Sequence, residues 1–244
     1  MKIKVHNNAH ELGQAAAKHA AQLLRKTIEA NRAANIILAT GTSQFETLSQ
    51  LINEDVDWNK VTLFHLDEYI GLPITHAASF RKYLQERFIS KVDLKELHLI
   101  NGETNPQQEC KRLNELIVQH PIDIALAGIG ENGHLAFNDP PADFETEQPY
   151  IIVELDDACR QQQMNEGWFN SMDEVPQKAI SMSIKQIMKS KNIICSVPDK
   201  RKAIAVKNCF ESSVSNLYPA SILKTHNDCI VYLDEDSAAL LNRQ

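Results

Sequence analysis

The 244-residue chain has no C-x-x-C pair, no run of lysine and arginine, and no apolar stretch near the ~18–20 residues of a membrane span. Each absence removes a class of protein. The five cysteines, Cys110, Cys159, Cys195, Cys209 and Cys229, are scattered and odd in number, which reads as reduced thiols. Neither a disulfide framework nor a cysteine zinc site has that pattern. A formal charge of −7 with no basic run argues against a nucleic-acid surface. It leaves room for an anionic ligand, because a pocket can be locally positive on an acidic protein. The opening residues, MKIKVHNNAHELGQ, lack the apolar core of a signal peptide, so a soluble, cytoplasmic protein is expected. No repeat, low-complexity tract or long linker interrupts the chain, and residues 1–244 read as one domain.

What is present is an alternation. An apolar fraction of 43% is enough to bury a core at this length. An alanine-rich helical pattern over 9–32 leads into the apolar run 35–39, which ends in Thr40-Gly41-Thr42-Ser43 before a helical pattern from Phe45. Further strands are predicted over 61–66, 97–100, 122–127, 179–182, 192–197 and 229–233. Helices are predicted over 79–88, 107–119, 184–189, 201–209 and 236–241, the first capped by Ser79. The pattern is that of an α/β fold, a single domain whose mainly parallel sheet carries helices on both faces. Ligands of such sheets gather beyond the carboxyl ends of the strands. Four polar or glycine-rich segments fall there: 40–43, 67–69, 128–139 and 198–202.

Each segment has a chemical and a plain reading. The turn Thr40-Gly41-Thr42-Ser43 offers hydroxyls and backbone N–H groups to a phosphate, or is an ordinary capped helix start. It matches neither the P-loop nor the dinucleotide fingerprint. Asp67 and Glu68 end a strand, where partial burial can raise a carboxyl into the range of a general base. Side-chain alternation lets only one of the two face the crevice, and the plain reading is the start of a solvated loop. In GIGENGHLAFNDP (128–140), glycines allow close approach of the backbone. His134 and Asp139 are spaced so that a turn can join imidazole to carboxylate as a proton carrier. Lys202, among Lys200, Arg201 and Lys207 at a helix start, is either a solvated lysine or one that holds an anion.

Together the segments resemble the glucosamine-6-phosphate deaminase family. The matching pieces are LATGTS (38–43), FHLDEYIGLP (64–73), LING (99–102), GIGENGHLAFNDP (128–140) and KAIAV (202–206), in the family's order over most of the chain. The resemblance implies a modified Rossmann-like fold. It also implies conversion of glucosamine 6-phosphate and water to fructose 6-phosphate and ammonia, with neither metal nor organic cofactor. Asp67 would be the base that moves a proton between C2 and C1. His134, oriented by Asp139, would open the sugar ring. Thr40, Gly41, Thr42, Ser43 and Lys202 would hold the phosphate, with Arg160 as the arginine the family commonly adds. The partner implied is a small sugar phosphate, with no nucleic acid or membrane, in a homo-oligomeric trimer or hexamer.

Two positions depart from the family pattern. Asn132 stands where aspartate is frequent; it can still orient the histidine but cannot act as a base. Asp139 stands where glutamate is usual, so a His134–Asp139 pair must close a gap of about 1 Å. The alternatives are the same chemistry on galactosamine 6-phosphate, a 6-phosphogluconolactonase, or a sugar-phosphate-binding regulator without catalysis. The sequence LAFN after His134 and the context of Asp67-Glu68-Tyr69 weigh against the lactonase. Retention of Asp67 and His134 weighs against the regulator.

Overall fold

A computed structural model describes residues 1–242. The chain opens with β1 (Lys2–His6), α1 (Ala9–Asn31), β2 (Ala34–Leu38), α2 (Phe45–Leu51) and β3 (Val61–His65). Then come β4 (Asp67–Tyr69), α3 (Phe80–Arg87), β5 (Glu96–His98), α4 (Pro106–Ile117) and β6 (Ile124–Ala127). The second half holds β7 (Tyr150–Glu154), α5 (Asp157–Asn165), β8 (Lys178–Met182), α6 (Ile184–Met188), β9 (Asn192–Val197), α7 (Ala203–Glu211) and β10 (Cys229–Asp234).

Seven strands form one sheet in the order β1-β10-β9-β6-β2-β3-β5, and every pairing in it is parallel. Its inner strands read as largely apolar runs because both faces are covered. Along β2, Ile36 and Leu38 pack with α1 and α2 residues such as Ala16, Leu24 and Leu48, while Ile37 packs with Leu113 of α4 and Val206 of α7. From β2 the chain steps outward through β3 to β5, then returns to place β6 on the other side of β2. That reversal opens a crevice beyond the carboxyl ends of β2 and β6. Segments 40–43 and 128–139 follow those two strands directly.

Local chemistry marks the helix ends. Asn8 caps α1 by accepting the Glu11 N–H at 2.9 Å, and Arg32, at φ 68°, ends it in the left-handed region. Asn105 and Asp156 cap α4 and α5 in the same way.

Two expectations are corrected. The predicted strand 179–182 exists as β8, but it lies outside the main sheet. It pairs antiparallel with β4 and β7 in a separate three-stranded sheet, with Asp67 opposite Ser181. A short buried apolar run carries no information about which sheet it joins. The helix predicted over 236–241 is a series of turns, because the Asp234 carboxylate takes the Ser237 N–H at 2.8 Å and holds the chain in a local loop. The strands β1, β4 and β7 and the helix α5 went unpredicted. β1 is an edge strand with exposed Lys2 and Lys4, a polar pattern that hides its pairing with β10.

The break between β3 and β4 is held by Glu68. Its buried carboxylate accepts from the backbone N–H groups of Tyr69 (3.0 Å), Phe80 (3.2 Å) and Arg81 (2.8 Å). The Ser79 hydroxyl (3.0 Å) and the Arg81 Nε (3.2 Å) donate to it as well. Arg81 continues to Leu72 O at 2.9 Å and Asn101 Oδ1 at 3.1 Å. Arg81 also pairs with Glu103 at 3.0 Å, so removing Glu68 leaves the guanidinium one carboxylate but strands the buried N–H and hydroxyl donors that Glu68 serves. Glu68→Ala should therefore destabilise the fold by about 3–5 kcal/mol, read as a lowered midpoint in urea unfolding. An unchanged midpoint would show that the network carries no stability.

Candidate active site

The crevice is an open cleft at this end of the sheet. Its walls include Thr40, Gly41, Thr42 and Ser43 after β2, Asp67 of β4, Gly128, Gly130 and His134 after β6, and Lys202 before α7. The four segments singled out in the sequence thus meet at one place. Gly128 makes part of this possible: a Cβ there would sit 2.5 Å from Ser43 Oγ. Gln44, fully buried, ties the turn to β6 by donating to Ser43 Oγ at 3.0 Å and to Ala127 O at 3.1 Å.

Asp67 is 6% exposed. Burial, and secondarily the negative charge of Glu68, push its carboxyl up to about 8. Glu68 points away into its network under α3, so only Asp67 of the two carboxylates faces the cleft.

His134 Nδ1 lies 3.0 Å from Asp139 Oδ1. The shorter aspartate side chain therefore does reach the imidazole. Backbone makes up the difference: Ala136 adopts φ 52°, and Asn138 Nδ2 pins the turn to Leu135 O and Met182 O, each at 2.8 Å. Burial works to raise the Asp139 carboxyl. The hydrogen bond and charge of His134, the Asn132 amide and the Asp156 N–H outweigh burial, leaving Asp139 below the usual carboxylate range. At Gly130 any Cβ would collide with the His134 ring, which fixes glycine there.

Asn132 stands behind this pair, outside the cleft wall. Its carbonyl oxygen accepts the His134 N–H at 3.0 Å. Its amide donates to Asp139 Oδ1 at 3.0 Å and to Asp156 Oδ2 at 3.2 Å. It positions the histidine loop and separates two carboxylates.

Lys202 is 3% exposed, so the solvated reading of this lysine is set aside. Burial lowers its pKa. Among the described residues it makes no ion pair, and its charge is left for the cleft. Arg160 does not reach the cleft. Its Nη2 donates to Met172 O at 2.6 Å and its Nη1 pairs with Asp157 at 3.2 Å, so it braces α5 from behind. The residues of this segment that do line the cleft are Gln162 and Gln163 of α5 and Glu166 at its C-cap. Gln163 accepts from the Tyr69 hydroxyl at 2.8 Å, and Gln162 joins the Glu131 N–H (2.8 Å) to Glu166 Oε1 (2.8 Å). The sequence signal for them was the spacing of Gln162 and Glu166 on one helix face.

His134, Asp139 and Cys159 each bring a potential ligand atom within 4.8 Å of the others. Asp139 Oδ1 is already engaged by His134 and Asn132, and burial holds the Cys159 thiol protonated well above its usual range. These residues fit proton transfer better than metal binding.

A parallel sheet covered on both sides, with a buried carboxyl, a His–Asp pair and a free lysine at its switch point, is the construction of an α/β enzyme for a small substrate. Comparison with known proteins makes the assignment specific. Residues 7–232 match the model for glucosamine-6-phosphate isomerases/6-phosphogluconolactonase, and the chain belongs to that family. It is 37% identical to a glucosamine-6-phosphate deaminase of Lacticaseibacillus paracasei over 100% of both chains. A deaminase of the same name from Listeria monocytogenes is 38% identical over 93% of this chain and 96% of its own. A solved monomeric glucosamine-6-phosphate deaminase superposes with TM-score 0.89 at 34% identity, covering 98% of this chain and 100% of its own. The 6-phosphogluconolactonase of Trypanosoma brucei, at 15% identity and TM-score 0.82 over 99% and 98%, shares the fold. No helix among the described residues is long and apolar enough to cross a membrane.

The burial of Asp67 has a measurable signature. Between pH 4 and about 8 the unfolded chain gives up a proton that folded Asp67 keeps, so this group's share of stability is lost as pH rises through that window. Asp67→Asn removes the effect and should stabilise the protein at pH 8 by roughly 1–2 kcal/mol, and by less at pH 4. Equal Tm shifts at the two pH values would contradict it.

Proposed function

We propose that this chain is a glucosamine-6-phosphate deaminase, converting glucosamine 6-phosphate and water to fructose 6-phosphate and ammonia. One observation carries the reading: Asp67, the His134–Asp139 pair and Lys202 face a single cleft at the sheet's switch point. The relatives that match over their full length and bear that name support it.

The roles follow from the geometry. The phosphate dianion rests on the turn formed by Thr40, Gly41, Thr42 and Ser43 and on the Lys202 ammonium, which makes no ion pair among the described residues. His134 gives a proton to the ring oxygen and takes the C1 hydroxyl proton in return, opening the ring to the aldehyde. Asp139 holds the imidazole and stabilises its charged form. Asp67, ionised, takes the C2 proton while His134 passes its proton back to the aldehyde oxygen, giving an enol-type intermediate. Asp67 then returns the proton to C1, yielding the ketose-level iminium, and water hydrolyses it to the ketone and ammonium. Arg160 is given no part in phosphate binding, and Asn132 acts only by positioning.

The pocket is assembled from segments of one chain, and the solved deaminase at 34% identity is described as monomeric. A trimer or hexamer is therefore not carried into the proposal.

The test is ammonia release from glucosamine 6-phosphate without added cofactor. Turnover is expected to fall by at least about 10³-fold in Asp67→Asn, the scale of losing an essential base. Turnover that survives the substitution would move the base elsewhere. Tight sugar-phosphate binding without turnover in the native chain would favour the regulator. Because the free enzyme must ionise Asp67, kcat/KM should rise with pH and level off above about 8. Lys202→Gln should raise KM about 10–100-fold, the worth of a charged hydrogen bond to the phosphate. An unchanged KM would remove Lys202 from the phosphate site.

A further inference from the structure

A second cluster of ionisable side chains lies at the edge of the main sheet and has no part in the chemistry above. Glu96 and His98 alternate along β5, the outermost strand, so both side chains leave the same face. His120 follows the end of α4 and reaches the same spot. Glu96 Oε2 is 3.5 Å from His98 Nε2 and 3.8 Å from His120 Nε2, and the three atoms lie within 4.8 Å of one another. A tetrahedral zinc with bonds of about 2.0–2.1 Å sets its ligand atoms roughly 3.4 Å apart. Small side-chain rotations would bring these three to that spacing.

Three details single the cluster out from a chance meeting of polar groups. His120 Nδ1 lies 2.9 Å from Leu116 O, and only an Nδ1–H can bond a carbonyl. That bond leaves Nε2 as the lone-pair nitrogen of the neutral ring, aimed at the cluster; backbone carbonyls orient metal-bound histidines in this way. His98 Nε2 is covered from solvent and has no hydrogen-bond partner, since Glu96 at 3.5 Å is outside hydrogen-bonding geometry. The ring itself is held in place against Phe64 of the core, centroid to centroid 4.6 Å. Glu96 divides its carboxylate: Oε1 is 3.5 Å from Lys95 Nζ, and Oε2 faces the imidazoles.

We propose that Glu96, His98 and His120 form a binding site for a borderline divalent transition cation of the Zn²⁺ type. Two imidazoles and one carboxylate fill three tetrahedral positions, and water takes the fourth on the open side of Glu96. None of the three residues lines the catalytic cleft. The ion would tie the edge strand β5 to the end of α4, and it takes no part in the sugar chemistry.

The test is isothermal titration of the full native chain with ZnCl₂ alone, beside His98→Gln, His120→Gln, Glu96→Gln and Cys159→Ser. One saturable site is expected in the native chain and in Cys159→Ser. Its affinity should fall at least about 10-fold in each of the other three variants. Glu96 is 40% exposed, so its isosteric variant keeps the fold even if a histidine variant does not. Zn²⁺ should also raise the Tm of the native chain, and the rise should vanish in Glu96→Gln. No saturable binding to the native chain would overturn the proposal. So would binding that is unaffected in Glu96→Gln, and binding lost in Cys159→Ser would place the ion at His134, Asp139 and Cys159 instead.

Discussion

A carboxylate with no access to water governs the geometry of the cleft. Glu68 collects the exposed N–H groups at the start of α3 together with the guanidinium of Arg81. It thereby forces the chain leaving β3 to turn out of the parallel sheet and pair with β8. Because neighbouring side chains in an extended segment point opposite ways, pinning Glu68 inward turns Asp67 outward into the cleft. The two acidic residues thus divide the work. One is stabilised by every donor within reach, and the other is denied them all.

That denial gives the empty cleft its electrostatic character. Asp67 is held protonated by burial, and Lys202 makes no ion pair among the described residues. The lysine charge is costly in a low-dielectric setting, and a phosphate dianion would relieve it directly. The His134–Asp139 pair is the opposite case. Its carboxylate is satisfied on several sides, by His134, Asn132 and the Asp156 N–H, so it can steady a charge that appears on the imidazole. The cleft therefore sets a buried, proton-holding carboxyl beside a settled imidazole–carboxylate pair, with environments that drive the proton affinities of the two carboxyls, Asp67 and Asp139, apart.

The parallel sheet was legible because a strand buried on both faces must be apolar throughout, and the glycine-rich turns mark its carboxyl ends. Asp67, His134, Asp139 and Lys202 were legible for the same reason: they sit where such strands stop. The β4–β8 pairing was not, because a three-residue strand with a backbone break before it leaves no periodicity to read. α5 was missed for a related cause. Its face toward the cleft is amide-rich, so Gln162 and Gln163 lack the apolar spacing that announces a buried helix. Arg160 was drawn in because arginine is the expected ligand of a phosphate, yet a charged side chain can equally serve as a clamp on backbone carbonyls.

The amide of Asn132 lies between the carboxylates of Asp139 and Asp156, with 3.0 Å to the first and 3.2 Å to the second. An aspartate in its place would bring three acidic groups into mutual contact, and one of them would have to keep a proton at neutral pH. The proton would compete with the Asp139–His134 bond. Positions 132, 139 and 156 therefore form an epistatic set. A change of charge at any one of them shifts the charge that the other two must share.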